Sequence, residues 1–212
     1  NFLGRLAIAR VYEGMVKSGQ DVYVTGKKAK ITKLFTFEGL ARKEIEKVNK
    51  KLRGITILQG TEVNIKDDGA LDMEDKVLKQ FDIVIAAVHS GFKNSKDKMT
   101  KRIIKAMENE NVDIIAHPTG RLITKRESYE IDLDAVLDAA KRTNTILEIN
   151  SYPERMDLRD VHVRAAVKAG VKLSISTDAH NTDQLHFIKL GIGTARRGWA
   201  RSMWTTRHSG FR

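Results

Sequence analysis

The chain has 212 residues, which is enough for one α/β domain with a small additional segment and a buried core. Hydrophobic residues make up 41% and charged residues 31% of the sequence, a balance typical of a folded protein rather than a disordered one. The sequence has no cysteine, which excludes disulfides and thiolate zinc sites and favours a cytoplasmic location, and it has no apolar run of membrane-spanning length, so we expect no membrane partner.

The formal net charge of +11 is concentrated at the two ends of the chain. Residues 1–47 contain 10 Lys/Arg and 5 Asp/Glu, and residues 196–212 contain 5 Arg and no acidic residue. Basic segments favour contact with polyanions, so a nucleic acid is an expected partner of these two ends. Solvated ends without a partner explain the same charge equally well.

Residues 1–37 predict β structure, because short alternating segments are separated by glycine-containing turns. Residues 22–24 and 30–37 are predicted strands of this segment, and the pattern indicates a piece of a small β-barrel. Residues 38–52 then change to a highly charged helical pattern. The change in composition predicts a domain boundary near residue 47.

From residue 48 to residue 200 the sequence alternates strand and helix patterns, which predicts a parallel α/β sheet or barrel. The predicted strands are residues 55–58, 61–65, 82–88, 112–116, 145–149 and 172–177. The predicted helices are residues 76–78, 96–107, 132–142, 158–169 and 182–188. Ser95 is the expected N-cap of one helix and Gly170 closes another. Residues 201–212 show no periodicity and form an unassigned basic tail.

Polar side chains follow three of the predicted strands. His89, His117 and the pair Asp178 and His180 stand at strand ends, and Glu62 lies within the first strand of the α/β region. The carboxyl ends of parallel strands share one edge, where α/β folds place their chemistry. A single strand-end histidine is more often structural, but several polar groups at one edge would each cost about 1–3 kcal/mol if buried and unpaired. The sequence therefore predicts that they share divalent metal ions.

Histidine and carboxylate ligands without a thiolate favour Zn, Mn or Fe over Ca or Mg. Two or three such ions would suit hydrolysis of a phosphoester, since they contact both the attacking and the leaving oxygen. Arg121 and Arg155 lie in loops after strands and are candidate substrate phosphate ligands, with pairing inside the loops as the alternative. Glu148 is interpreted as a buried or paired carboxylate on the strand face opposite Asn150.

Six motifs occur in chain order: GTEVNI at 60–65, VHSGF at 88–92, HPTGR at 117–121, LEIN at 147–150, STDAH at 176–180 and RRGW at 196–199. With these motifs, residues 57–199 resemble the C-terminal PHP (polymerase and histidinol phosphatase) domain of family-X DNA polymerases. The resemblance implies a (βα)7 TIM-like barrel that binds up to three ions and hydrolyses phosphoesters, as a phosphatase or as a 3′–5′ exonuclease on DNA. By position, five residues match family metal ligands: Glu62, His89, His117, Asp178 and His180.

The first 47 residues resemble a different family. FLGRLAIARV at 2–11 and ITKLFTFEGL at 31–40 are similar to the β-barrel second domain of TypA/BipA-type translational GTPases. No GxxxxGK[ST] phosphate-binding loop occurs in the sequence, so GTP hydrolysis is not implied. The expected organisation is therefore a β-barrel fragment at 1–47, an incomplete PHP barrel at 48–200 and the tail at 201–212.

The PHP resemblance also implies ligands that this sequence lacks. Intact family members carry a His-x-His pair and further ligands on their first two strands, but no histidine precedes His89 in this chain. We therefore expect an impaired phosphoesterase. The alternatives are a non-catalytic module that binds nucleic acid or the ribosome, and an assembled chimera without activity.

Overall fold

The structure is a computed structural model, which describes residues 21–24, 27–30 and 42–201. The chain divides into two compact units, Asn1–Ala41 and Arg42–Arg212. The β structure predicted for residues 1–20, the predicted strand 30–37 beyond Lys30, and the basic tail after residue 201 lie outside the described residues.

The described part of the first unit is an antiparallel pair of strands, β1 (Asp21–Val24) and β2 (Lys27–Lys30). In the register of this pair, Asp21 lies opposite Lys30 and Val24 opposite Lys27. The strand expected at residues 22–24 is confirmed. Membership of this pair in a small β-barrel stays a prediction.

The second unit begins with helix α1 (Arg42–Asn49) and continues as alternating strands and helices. The elements are β3 (Gly60–Asn64), α2 (Asp75–Leu78), β4 (Ile83–Ala87), α3 (Lys96–Met107), β5 (Ile114–Ile115), α4 (Leu133–Thr143), β6 (Ile146–Asn150), α5 (Asp160–Ala169), β7 (Leu173–Ser176), a 3-10 helix (Thr182–Phe187) and α6 (Ile188–Arg197). The five strands β3 to β7 are parallel and follow one another in chain order across a single sheet. The predicted parallel α/β fold is therefore confirmed, whereas closure into a (βα)7 barrel stays a prediction.

The core lies between the sheet and the helices that connect its strands. All five residues of β6 are buried, as expected for a central parallel strand that is covered on both faces. Met99 and Ile103 of α3, Val136 of α4 and Val163 of α5 are completely excluded from solvent in this core. None of the helices within the described residues is long and apolar enough to cross a lipid bilayer.

The helix ends follow the predicted capping chemistry. Ser95 accepts a hydrogen bond from the backbone N–H of Lys98 at the start of α3. Asp132 caps α4 in the same way through the N–H of Ala135. Gly170 ends α5 with φ +77°, a left-handed conformation that glycine adopts without a steric penalty. These local signals explain why the boundaries of α3, α4 and α5 were predictable.

In the first unit, β2 was not predicted as a strand over residues 27–30, and in the second unit two elements differ clearly from the prediction. Residues 55–58 form no strand, because the Asn49 side chain occupies the backbone groups of Ile57: Nδ2 donates to its carbonyl and Oδ1 accepts from its N–H, both at 2.8 Å. Helix α6 was not predicted beyond residue 188, since Gly191 and Gly193 weaken the helical pattern. Gly191 is required by packing, because a Cβ at this position would collide with Ser151 and Ile175.

Candidate metal centre

Three of the predicted ligands meet at the carboxyl edge of the sheet. Glu62 lies on β3 and is in register with Ile85 of β4. His89 is the second residue after β4, and His117 is the second residue after β5. Because β3, β4 and β5 are parallel neighbours, their ends bring these three side chains to one place.

The three side chains are close enough to share one ion. Oε1 of Glu62 lies 3.1 Å from Nε2 of His89 and 3.7 Å from Nε2 of His117. One ligand atom from each residue lies within 4.8 Å of the other two. The rings of His89 and His117 meet edge to face, with centroids 5.2 Å apart. Glu62 and His89 are partly open to solvent, with 41% and 43% of their side-chain surface exposed, and His117 is buried, with 3% exposed.

The donor set fits a divalent metal. Two ligands of a tetrahedral ion with bonds of about 2.1 Å lie about 3.4 Å apart, and the two Glu62 distances fall on either side of this value. The neighbouring imidazoles of His117 and His89 hold the pKa of Glu62 well below its usual range, so its carboxylate is ionised as a ligand must be. Two imidazoles and one carboxylate form a common catalytic zinc-type set with room for water or substrate.

His117 is held by its backbone as well as by its ring. Its φ of +30° is uncommon for a residue with a side chain, and such outliers concentrate at functional sites. Its N–H donates to Oε2 of the buried Glu148 at 2.6 Å. Nδ1 of His117 is buried and has no hydrogen-bond partner among the described residues, so this ring still has an unused polar atom. The backbone therefore holds the His117 imidazole beside Glu62, while Nδ1 of this ring has no hydrogen-bond partner among the described residues.

Glu148 is the centre of a buried network that the sequence reasoning only partly anticipated. Besides His117, it accepts from Nδ2 of Asn150 at 3.3 Å and from the hydroxyl of Ser176 on β7. Burial raises the pKa of Glu148 above its ordinary value. The prediction of a buried, paired carboxylate is confirmed. Its placement opposite Asn150 was wrong, because residues two apart on a strand point to the same face.

Asp178 and His180 lie outside this cluster of three. The Asp178 carboxylate is 3.3 Å from Nδ2 of Asn150 and 3.5 Å from Nε of Arg155. His180 is exposed, and its Nδ1 lies 2.8 Å from the carbonyl oxygen of Asp178 and 4.0 Å from the Asp178 carboxylate. Asp178 has φ +52°, so it shares with His117 a turned backbone directly after its strand. Their role as metal ligands stays a prediction.

The two predicted phosphate ligands occupy different environments. Arg121 donates from Nε to the carbonyl of Arg155 at 3.1 Å and from Nη2 to the carbonyl of Met156, which ties the loop after β5 to the loop after β6. Burial lowers the pKa of Arg121. Arg155 contacts Asp178, and its Nη1 is buried without a partner in the part of the chain that the structure describes. Arg155 is therefore the better placed of the two to meet an anion at the sheet edge.

Residues behind the ligands connect their loops, and the sequence reasoning missed them. The buried guanidinium of Arg102 on α3 donates to the carbonyl of Ser90 at 2.8 Å and to the carbonyl of Ile65, so it joins the ends of β3 and β4. Phe92 packs between Tyr129, with ring centroids 6.3 Å apart, and Arg126, whose guanidinium is 3.7 Å from the Phe92 centroid. These contacts fix the loops that carry His89 and His117. An aromatic residue three positions after a strand-end histidine is a weak signal that alone would not have identified them.

Fold and site together define an α/β protein with a strand-end cluster suited to a divalent metal. Comparison with known proteins makes this assignment more specific. The chain is 43% identical over 204 residues to the DNA polymerase/3′-5′ exonuclease PolX of Bacillus subtilis, a match that covers 94% of this chain and 36% of that protein. It is 41% identical over 140 residues to a probable phosphatase of Thermoanaerobacter, which covers 61% of this chain and 55% of the phosphatase. A probable phosphatase of Caldanaerobacter subterraneus matches at 37% over 143 residues, covering 63% of this chain and 54% of that protein.

The chain is therefore homologous to the PHP domain of family-X DNA polymerases and to these phosphatases, and the first resemblance found in the sequence is confirmed. Residues 4–54 match the family model of elongation factor Tu domain 2, which confirms the second resemblance. The chain spans about a third to just over half the length of these curated relatives. Since the PolX match covers 94% of the chain, it also extends into the first 47 residues, and the boundary near residue 47 stays a prediction.

Proposed function

We propose that this chain is a metal-dependent phosphoesterase of PHP type. The observation that carries the proposal is the cluster of Glu62, His89 and His117 at the carboxyl edge of a parallel sheet. The names of the relatives support it, since one is described as a polymerase and 3′-5′ exonuclease and others as probable phosphatases. The substrate class would be a phosphoester, either a DNA end or a small phosphorylated compound.

The proposed mechanism assigns a separate task to each group. Glu62, His89 and His117 would hold a divalent ion, for which the donor set favours Zn, Mn or Fe. When bound, such an ion supplies Lewis-acid polarisation of the phosphoryl oxygen and lowers the pKa of water. The ionised Glu62 offsets the positive charge of the ion, and the buried His117 keeps bulk water from one side of the site.

Asp178, His180 and Arg155 would complete the site on the side of β7. In this proposal Asp178 and His180 are further metal ligands, and the Arg155 guanidinium neutralises a phosphate oxygen. Arg155 is 18% exposed and already adjacent to the Asp178 carboxylate, so little rearrangement is needed to face a bound anion. Arg121 would act with it by holding the Arg155 backbone. We expect weaker activity than in intact family members, because the His-x-His pair and the other ligands that those members carry on their first two strands have no counterpart in this sequence.

The decisive experiment combines metal content with hydrolysis. The full chain, purified without chelator, should contain a divalent metal by mass spectrometry and should hydrolyse bis(p-nitrophenyl) phosphate or the 3′ end of a labelled DNA strand in an EDTA-sensitive manner. Glu62→Gln should lose both metal and activity, whereas Glu130→Gln, at an exposed position away from the cluster, should lose neither. Protein that binds no Zn, Mn or Fe under any of these conditions would refute the proposal.

The same protein preparation also tests the second candidate function, which is binding of RNA or the ribosome without catalysis. The match of residues 4–54 to elongation factor Tu domain 2 and the basic charge of residues 1–47 favour contact with RNA or the ribosome. Binding of this kind should weaken steeply with salt and should be indifferent to EDTA. Salt-sensitive RNA binding without EDTA-sensitive hydrolysis would favour a binding module over an enzyme.

A further inference from the structure

A pair of polar side chains stands behind His89, on the side away from Glu62. Oδ1 of Asn64 lies 2.6 Å from Nδ1 of His89, while Nε2 of the same ring faces Glu62 at 3.1 Å. Nδ2 of Asn64 donates to Oδ2 of Asp72. A continuous row of contacts therefore runs from Asp72 through Asn64 to the two ligands His89 and Glu62.

Asp72 determines which end of the Asn64 amide faces the imidazole. A carboxylate offers only acceptors, so the group of Asn64 that faces Asp72 must be its NH₂. The carbonyl oxygen of Asn64 then faces Nδ1 of His89. Because this oxygen carries no proton, the hydrogen bond between the two atoms needs a proton on Nδ1. Nδ1 of His89 must therefore carry a proton, so Nε2, which faces Glu62, is the one nitrogen of this ring that can give its lone pair to a metal.

The backbone holds this pair in place. The N–H of Asn64 donates to Oδ1 of Asp72 at 2.9 Å, and the N–H of Asp72 donates to the carbonyl of Asn64 at 3.1 Å. Ile65 and Leu71 form an antiparallel bridge beside it, so the loop after β3 folds back upon the strand that carries Glu62. Asp72 thus reaches Asn64 through three separate contacts and cannot easily turn away.

We propose that Asp72 and Asn64 are positioning residues, which fix the Nδ1–H tautomer of His89 and direct its Nε2 toward the metal held with Glu62. The inference rests on the proposed function, because it concerns the geometry of one ligand of that ion. Partners of this kind behind a metal-binding histidine typically change metal affinity by about 10- to 100-fold. Neither residue belongs to the predicted ligands, and Asn64 is recognisable in the sequence only as the second residue after Glu62 on the same strand face.

The test measures zinc affinity and the tautomer separately from activity. Zn²⁺ is titrated into the full chain in competition with a chromophoric chelator, for the unaltered protein and for Asp72→Asn and Asn64→Ala. Both variants should bind Zn²⁺ about 10- to 100-fold more weakly. Asp68→Asn is the matched control, since it makes the same chemical change in the same loop, where the Asp68 side chain accepts a hydrogen bond from the backbone N–H of Ala70.

A double variant tests the direction of the hydrogen bonds. Asn64→Asp combined with Asp72→Asn exchanges the amide and the carboxylate, keeps the net charge and again presents an acceptor to Nδ1 of His89. It should restore zinc affinity relative to Asp72→Asn alone. In the zinc-loaded unaltered chain, long-range ¹H–¹⁵N spectra should show a proton on Nδ1 of His89 and zinc on Nε2.

Each remaining outcome overturns a distinct statement. If Zn²⁺ binds the unaltered chain but Asp72→Asn changes the affinity no more than Asp68→Asn, or if zinc occupies Nδ1 of His89, the positioning role is wrong and the proposed function stands. If no Zn²⁺ binds at all, and Mn²⁺ and Fe²⁺ also fail to bind, both the proposed function and this inference are wrong.

Discussion

The buried carboxylate of Glu148 offers the sharpest test of how the site is held. The perturbation is Glu148→Ala, which removes the acceptor for the His117 N–H, for Nδ2 of Asn150 and for the Ser176 hydroxyl. His117 and Asn150 are buried, so the His117 N–H loses its partner in a place that water reaches poorly, whereas Nδ2 of Asn150 keeps its contact with Asp178. We expect the protein to lose stability and His117 to lose its orientation.

The magnitude follows from the number of donors and one opposing effect. A buried donor left without a partner, here the His117 N–H, costs about 1–3 kcal/mol, and the lost hydrogen bonds of Asn150 and of the half-buried Ser176 add about 0.5–1.5 kcal/mol each. The carboxylate itself is unfavourably desolvated, as its raised pKa shows, and its deletion removes that cost. The expected net loss is therefore about 2–4 kcal/mol, a substantial part of the roughly 5–15 kcal/mol that stabilises a typical domain. Glu148→Gln keeps one acceptor oxygen and should lose about half as much.

The assay is urea unfolding followed by far-ultraviolet circular dichroism, with the exposed Glu130→Ala as the control for loss of a glutamate. A second readout is zinc affinity, which should weaken in Glu148→Ala because His117 is no longer held through its backbone. The reasoning is refuted if Glu148→Ala unfolds within about 0.5 kcal/mol of Glu130→Ala, the range expected for an exposed substitution.

Two further predictions concern the loops around this network. Burial raises the pKa of the fully buried Asp157, so the native state holds that proton more tightly than the unfolded chain, and stability should fall as the pH rises above the ordinary value of 3.8. Asp157→Asn keeps one acceptor oxygen for the Thr119 N–H and can donate from its amide to the Thr119 hydroxyl oxygen, and it should abolish this fall in urea titrations across the acid range. An unchanged pH dependence would contradict the assignment. Gly120→Ala would force a Cβ against the Tyr129 ring at φ +62° and should cost about 1–3 kcal/mol in thermal melts, while Gly193→Ala, which meets no atom within 4 Å inside α6, should stabilise by about 0.4–1 kcal/mol. Equal melting temperatures for the two glycine variants would show that the packing argument is wrong.

Much of the second unit was predictable because its signals are local. Capping residues and the change between strand and helix periodicity depend only on neighbouring residues, and they placed α3, α4 and α5 within a few positions of their ends. The prediction of a strand at 55–58 was wrong for a non-local reason. The Asn49 side chain of the preceding helix hydrogen-bonds the backbone N–H and carbonyl of Ile57, which a neighbouring strand would otherwise pair with. The continuation into α6 was missed because two glycines weaken its helical pattern, and the need for Gly191 is seen only in its packing against Ser151 and Ile175.

For the candidate site, the sequence by itself determined that Glu62, His89, His117, Asp178 and His180 lie at or near strand ends, because the alternation of strand and helix requires it. Only the tertiary structure decided which of them meet. Parallel register brings Glu62, His89 and His117 to within 4.8 Å of one another, whereas Asp178 instead contacts Asn150 and Arg155. Strand order and loop conformation set these distances.

The residues that hold the ligands in place are even harder to identify from the sequence, because their role is visible only in the tertiary structure. Asn64, Asp72 and Glu148 are ordinary polar residues in the sequence. Asn64 lies 25 positions from its partner His89, and Glu148 lies 31 positions from its partner His117. A hydrogen bond across such a separation is specified by the register of neighbouring strands and by how a loop folds back, neither of which any short stretch of sequence contains. Residue type and period therefore identified the candidate ligands, and packing alone assigned their orientation.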